Sequence, residues 1–528
     1  MDLFFSRPRR AVVSGLERAL SAPAAGVSTV HVPAPSVPVQ HLFSLFSGTP
    51  GRPRVLWRDE AGFSLAGFGA VCSVRGRGVG RFDDVRRGLT RLGELSVCHV
   101  VGDEAGSADG RPAALPGLRL FGGFSFTPRG DAAPGPWGEV ADAEFVLPRV
   151  ALQQLDGRAW LSFAWRRDEL QTRRRRLRQM DCVLTLLDRL AEVSTARRRR
   201  TGLPETAPLG TAPLGTAPLG TWHLGTWHLA DAAADGLEDS AWRRDVDALR
   251  RHIANGELSK VVAARRRQRL ITAPAGEVLT GSDWIRALWD GLDRRGPVEG
   301  FDFMLTPDAA DREALFFGRT PERLLRCRGG VLSTEALAGT DAAHEGAVNG
   351  AAAGFLMSDP KNGHEHRLVI DGIRRRLAPL CESLVTAASP APRRAGRLLH
   401  LRTPVRGRLR RGVRALDVAQ ALHPTPAVGG LPTREAVDWI ERHEPFRGWY
   451  AAPVGWLDPQ GDGELAVALR CGLLRRSAGG AAELHTFAGA GIVGASDPDA
   501  EAAEIRLKEA SFLSTFGLTS DPFAENAR

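Results

Sequence analysis

Hydrophobic residues are arranged in two ways along this chain. Residues 40–165 carry short apolar runs bounded by Gly, Pro and Asp: 41–46, 54–57, 63–71, 120–126 and 160–165. Such runs predict β-strands separated by turns. The glycines inside the run 120–126 predict a bulge or a close backbone approach. Residues 166–200 switch to a helical period rich in Arg and Leu. The first 22 residues read as a short amphipathic helix.

Residues 240–256 are again helical. They lead through a turn into an apolar strand that opens on Lys260. A strand-borne lysine among apolar neighbours can serve as a base, or it can snorkel to the surface. Further on, residues 315–326 predict a strand, a turn holding Pro321 and Glu322, and a second strand or short helix. Residues 331–340 predict a strand ending in Gly339-Thr340, a candidate anion contact. Residues 361–371 open a helix, and 422–430 form a proline-rich turn that contains His423. Residues 447–470 predict a β-hairpin that includes Tyr450, the only tyrosine, and ends on Arg470.

The densest candidate chemistry lies in residues 485–508. A strand-like run reaches Gly489-Ala490-Gly491, read as a glycine-rich turn whose backbone N–H groups can approach an anion. Ser496-Asp497-Pro498 predicts a helix start. On that helix Glu501, Glu504 and Lys508 fall at i, i+3 and i+7 and share one face. Two carboxylates and an ammonium beside a glycine nest suit a cation and a carboxylate ligand. The bland alternative is a solvated helix face.

Residues 206–220 repeat TAPLG, and 221–230 read TWHLG-TWHLA. A five-residue period fits neither helix nor strand, so this stretch predicts a flexible insertion outside the core.

Composition narrows the class. The apolar share is 43% and the charged share 25%, ordinary for a globular protein. The net charge of +9 comes largely from arginine. The arginine runs 173–176 and 197–200 lack interleaved aromatics, which argues for solvated faces and against nucleic-acid binding. The six cysteines form no CxxC, which predicts free thiols in a reducing compartment. With no signal-peptide pattern and no run of ~20 apolar residues, the expectation is a cytoplasmic protein that does not cross a membrane. His364 and His366 flank Glu365, but i and i+2 splay apart on a helix, which disfavours zinc. Glu365 with Glu501 or Glu504 suits Mg²⁺, which prefers oxygen ligands.

Taken in order, ELSKVVAAR, TPERLL, TEALAGT, KNGHEH, HPTPAVGG, RGWYAAPVGW, AVALR and AGAGIVGASDPDAEAAEIRLK resemble the chorismate-utilising enzymes, most closely the isochorismate synthases of menaquinone and siderophore pathways. The resemblance is strong from about residue 238 onward. It continues through LFGGFSF and AEFVLPRV and does not cover the repeat. It implies an α/β fold of two interleaved halves, with large antiparallel sheets, outer helices and an active site in the cleft between them. The expected division is an N-terminal helix and extension at 1–39 and an N-terminal half at 40–200. An insertion at 201–235, a catalytic region at 236–520 and a tail at 521–528 follow.

The resemblance also implies roles. Lys260 is the base that activates water, and Glu322 is the acid that protonates the leaving hydroxyl. Glu365 and Glu504 hold Mg²⁺, with Glu501 close by. Arg470 and the Gly489–Gly491 stretch take the enolpyruvyl carboxylate. Gly339, Thr340, Tyr450 and His423 contact substrate, and Lys508 adds positive charge. Anthranilate synthases look different at the Lys260 position, where they carry glutamine. Aminodeoxychorismate synthases carry a nucleophilic lysine where this chain has Ala338. Lys260 with Ala338 therefore implies water addition to chorismate without a glutamine amidotransferase partner, by an enzyme expected to be monomeric. Salicylate synthase, which goes on to eliminate pyruvate, is the alternative, and a catalytically inactive binding protein is another. Two departures stand out. Arg319 replaces a small residue beside Glu322, and Asn362 replaces a common aspartate.

Overall fold

Side-chain alternation builds the layers. On the strand Ala314–Thr320, Ala314 and Phe316 join one buried cluster while Leu315 and Phe317 join another. The strand Phe301–Leu305 does the same, with Phe301, Phe303 and Leu305 on one side and Met304 on the other. A period of two with both faces apolar requires cover on both sides. The inner cluster is shared with a second sheet. The outer one is closed by the helices Ser6–Ser21, Arg173–Thr201 and Gly281–Arg294.

The computed structural model describes residues 6–21, 26–35, 37, 39, 53–101, 117–130, 135–155, 157–201, 228–231, 235–272, 281–294, 300–307, 314–342, 357–395, 398–476 and 482–518. These residues form a 13-stranded and a 10-stranded sheet. The two halves of the chain interleave in both. In the larger sheet, strands from before residue 170 meet later ones where Pro53–Asp59 pairs with Phe301–Leu305. In the smaller, the seam is Leu120–Phe124 against Pro453–Leu457. Pairing is antiparallel apart from Val27–Ala34 with Ser96–Val100. The helices Arg81–Leu95, Pro360–Leu377 and Ala415–Leu422 pack on the smaller sheet. The expected α/β architecture of interleaved halves is the one observed.

Several local expectations change. The N-terminal extension is not separate, because Val27–Ala34 pairs along its length with Arg158–Arg166. The end of the repeat joins the larger sheet: His228–Asp231 pairs with residues 269–272. An exposed sheet edge offers unpaired main-chain groups that need no particular partner sequence. The strand expected at 41–46, the rest of the repeat and the tail lie outside the described residues.

Two of the points where the chain crosses between the sheets lie side by side. Ala314–Thr320 belongs to the larger sheet and Arg323–Arg328 to the smaller, so Pro321-Glu322 is one crossing. Gly463–Val467 belongs to the smaller sheet and Cys471–Arg476 to the larger, so Ala468–Arg470 is the other. The crossings are tied together. The Val467 amide donates to the Glu322 carbonyl at 3.0 Å, and the Thr320 hydroxyl donates to the Val467 carbonyl at 2.6 Å. The Arg319 amide donates to the Arg470 carbonyl at 3.2 Å.

Candidate active site

A cavity of about 110 Å³ opens in the cleft beside these crossings. Glu322, Gly339, Glu365, Tyr450, Arg470, Gly489, Gly491, Glu501, Glu504 and Lys508 all line it.

The base candidate comes from the strand Lys260–Thr272. Lys260 is fully buried, and its Nζ donates to Glu365 Oε1 at 2.6 Å. The surface-snorkelling alternative is therefore not what forms. The paired strand Ala482–Ile492 sets Gly491 opposite Val262. A Cβ on Gly491 would stand 2.9 Å from Lys260 Cε and 3.0 Å from Glu365 Oε1, so the glycine makes room for this ion pair. Gly489 does the same for Tyr450, whose Oη would lie 2.9 Å from an added Cβ.

Gly489-Ala490-Gly491 is thus extended strand, not the turn expected, and neither glycine has positive φ. A nest needs successive N–H groups turned to one side. Here the backbone runs within the sheet ladder, and the Gly489 carbonyl accepts from Lys508 Nζ at 2.8 Å. Ala490 points to the core, as alternation requires.

The helix Pro498–Thr515 begins as expected. Asp497 caps it, accepting from the Asp499 and Ala500 amides, and Pro498 occupies the first turn. Its shared face turns Glu501, Glu504 and Lys508 into the cavity, with Lys508 Nζ 2.6 Å from Glu504 Oε1. On the helix Pro360–Leu377, Glu365 faces the same space. Two of the three carboxylates thus hold ammonium groups. Among the described residues no three acidic, His or Cys side chains converge closely enough to enclose an ion. The donor set itself, three carboxylates lining one cavity, is the oxygen-rich kind that Mg²⁺ takes.

Glu322 is buried. Desolvation pushes its carboxyl up to about 8, the Glu335 carboxylate adds to this, and Lys260, Arg470 and Lys508 oppose it. A carboxyl raised that far is protonated at neutral pH and can donate a proton. Arg470 is half-buried, and its Nη2, shut off from solvent, has no hydrogen-bond partner among the described residues. It has φ +46°, and Ala451 has φ +59°. These are the non-glycine residues with positive φ in the described chain, and both line the cavity. Each such backbone costs about 1–2 kcal/mol. Strain of this kind collects where a side chain must be aimed.

Residues 15–206 and 228–517 match the family described as chorismate binding enzyme. The chain belongs to the chorismate-binding enzymes. The salicylate biosynthesis isochorismate synthase of Pseudomonas aeruginosa is 36% identical over 393 residues, 74% of this chain and 72% of that protein. The putative isochorismate synthase MenF of Mycobacterium tuberculosis is 39% identical over 269 residues, 50% of this chain and 69% of its own. MenF, the menaquinone-specific isochorismate synthase from Escherichia coli, superposes with a TM-score of 0.67 at 25% identity, covering 96% of this chain and all 100% of its own.

In this chorismate-binding enzyme most of the expected residues line the one cavity; Lys260 sits behind Glu365, Ala490 faces the core, and His423 lies elsewhere. It follows the helix Ala415–Leu422, its Nε2 bonds the Phe126 carbonyl at 2.9 Å, and its ring packs edge-on against Phe126. Burial pulls its pKa down to about 3, so it is a neutral packing residue. Gly339 sits at a bulge with φ +75°, facing Asn362. The Thr340 side chain lies outside the described residues.

Arg319 points away from the cavity. It bonds Asp302 with Nε at 2.6 Å and Nη2 at 3.0 Å, beside the helix Gly281–Arg294. Pro321 lies between Arg319 and Glu322, where the chain leaves one sheet for the other, so adjacency in sequence does not put them on one face.

Two polar cavity residues were not assigned to the site from sequence. His400 is a lone polar residue in the apolar run LLHL, and its Nδ1 lies 3.1 Å from the Gly339 carbonyl. Asn362 sits on the helix one turn before Glu365.

Proposed function

We infer that this protein is an isochorismate synthase, an isomerase that converts chorismate reversibly into isochorismate. The observation that carries the reading is the buried pair of opposite function at one cavity: Lys260 bonded to the cavity-lining Glu365, and a Glu322 carboxyl raised to about 8. Family membership and relatives named isochorismate synthase support it.

Chorismate is a dianion, and it must lose a hydroxyl while gaining one from water. Water is a poor nucleophile and hydroxide a poor leaving group. As the water's oxygen bonds to C2, its proton passes to Lys260. The ring double bond shifts and the C4–O bond breaks. Glu322 gives its proton to the departing oxygen, which leaves as water. Each proton transfer contributes roughly 10²–10⁴-fold. Arg470 forks one substrate carboxylate, which answers its unpartnered Nη2. Tyr450 and Gly339 bound the substrate, and Lys508 adds positive charge. Mg²⁺ would be held by Glu365 and Glu504 with Glu501 close by, and when bound it supplies charge for the ring carboxylate.

The protein acts without a glutamine amidotransferase, since water rather than ammonia attacks. Six free thiols fit a cytoplasmic setting. Among the described residues no helix is long and apolar enough to cross a membrane.

The test is incubation of the purified protein with chorismate, with Mg²⁺ or with EDTA, followed by chromatography and mass spectrometry. A Mg²⁺-dependent isomer of unchanged mass, approaching equilibrium with chorismate, is the expected result. Salicylate and pyruvate as main products would make it a salicylate synthase. No turnover in either condition would sink the catalytic reading.

A further inference from the structure

Glu322 has a charged neighbour that does not reach the cavity. Glu335 lies on the strand Val331–Ala342, just before its cavity-lining residues Leu337, Ala338 and Gly339. The hairpin partner Arg323–Arg328 starts directly after Glu322. Its Arg326 pairs with Ser333, and the Thr334 hydroxyl donates to the Leu324 carbonyl at 2.6 Å. Glu335 therefore stands beside the start of the strand that Glu322 leads into.

Its carboxylate is buried and cannot swing, because each oxygen is held. Arg393 Nη1 donates to Oε1 at 3.0 Å, and Arg402 Nε donates to Oε2 at 2.5 Å. Arg393 continues the chain through Nη2 to Glu60 Oε2 at 2.6 Å. Glu60 Oε1 in turn accepts from Arg323 Nη2 at 3.2 Å, and Arg323 Nε reaches Glu464 Oε1 at 3.2 Å. Alternating carboxylates and guanidiniums thus run from the residue after Glu322 round to Glu335.

We propose that Glu335, fixed by Arg393 and Arg402, is a positioning residue that holds a negative charge behind Glu322 and so keeps the acid's proton in place until the leaving oxygen takes it. This deepens the isochorismate synthase reading and rests on Glu322 being its acid. The need for such a charge is visible in the site. Lys260, Arg470 and Lys508 all face Glu322 and favour its carboxylate form, which has no proton to give. Burial and Glu335 act in the other direction. Without Glu335, burial alone opposes three cations.

The experiment is the pH dependence of kcat for Glu335→Gln and Arg402→Met. Activity needs Glu322 protonated, so it is full below the Glu322 pKa and is lost as pH rises through it. Removing the Glu335 charge moves this alkaline limb to lower pH by about one unit. Removing the Arg402 charge moves it to higher pH. Shifts of opposite sign cannot come from structural damage. Limbs that stay put, or that move the same way in both variants, would overturn the proposal. Should Glu335→Gln not fold, Arg402→Met still decides. The Arg402 side chain is one-third exposed, and an unmoved or lowered limb in that variant alone refutes the idea. Glu322→Gln is the separate control: if the alkaline limb survives there, the acid assignment has failed instead.

Discussion

Gly491→Ala is the most discriminating substitution in this site, because it sets stability and catalysis apart. The added Cβ would lie 2.9 Å from Lys260 Cε and 3.0 Å from Glu365 Oε1. Ordinary carbon–carbon contact begins near 3.5 Å, so the lysine tip must retreat by roughly 0.6 Å. The atoms met are the ends of side chains, not backbone. The fold absorbs the change by off-rotamer adjustment, at about 0.5–1.5 kcal/mol. Catalysis does not absorb it, because a base displaced by that distance loses alignment with its water. A displacement near 1 Å can cost about 100-fold, so kcat should fall by roughly 10- to 100-fold. Gly489→Ala provides the contrast. Its Cβ would meet the Ala263 carbonyl oxygen at 2.7 Å, which is backbone of the neighbouring strand. That variant should lose about 1–3 kcal/mol of stability through overpacking. Steady-state conversion of chorismate and urea unfolding on both variants make the comparison. The reasoning is refuted if Gly491→Ala keeps full kcat, or if it loses activity only in proportion to its unfolded fraction.

Other outcomes follow from the same geometry. Arg470→Gln should raise KM for chorismate by about 10- to 100-fold, the worth of a charge-assisted hydrogen bond of 1.5–3 kcal/mol, while leaving the melting temperature intact; a KM unchanged in initial-rate assays would remove Arg470 from the carboxylate site. Arg319→Ala should lower stability by about 1–2 kcal/mol by stripping one of the two guanidiniums from buried Asp302, with kcat unaltered, and a large loss of kcat at full stability would contradict the outward placement. Burial holds His31, His400 and His423 at about 3, against 6.5 for the free group. The unfolded chain therefore binds more protons, so stability is fully present above pH 6.5 and drains as pH falls toward 3. At pH 5 each histidine favours unfolding by about 2 kcal/mol. Urea midpoints at pH 7 and pH 5 should differ accordingly, and the difference should shrink in His423→Gln.

What could be read from the sequence was what short-range geometry dictates. The spacing of Glu501, Glu504 and Lys508 fixes a helix face, and Asp497-Pro498 fixes where that helix starts, with no need of the rest of the molecule. Lys260 at the head of an apolar run is equally local. The failures needed partners far along the chain. Gly489 and Gly491 look like turn residues. Their purpose is to leave room for Tyr450 and for Lys260 with Glu365, which local pattern cannot reveal. His423 sits in a motif rich in turn residues, and its direction is decided by a carbonyl at Phe126. Arg319 was linked to Glu322 by proximity in sequence, and the sheet crossing at Pro321 separates them. Asn362 and His400 become site residues only when helix and strand pack. The interleaving of the halves was accessible through family likeness and not through periodicity, which says nothing about which strands pair.

The two crossings between the sheets carry a mechanical consequence. Glu322 and Arg470 sit on segments bonded directly to each other where the chain changes sheet, so they share one anchored junction. A shift of one sheet against the other would leave their separation largely unchanged, because the bonds between the segments would move with them. Lys260 rides on the larger sheet, while Glu365 rides on a helix packed against the smaller one, so the same motion loosens or tightens their contact. Glu322 and Arg470 would then move as one unit, and Lys260 and Glu365 as an adjustable one. On the proposed roles, breathing of the cleft would tune the attacking water while leaving the leaving-group side in register.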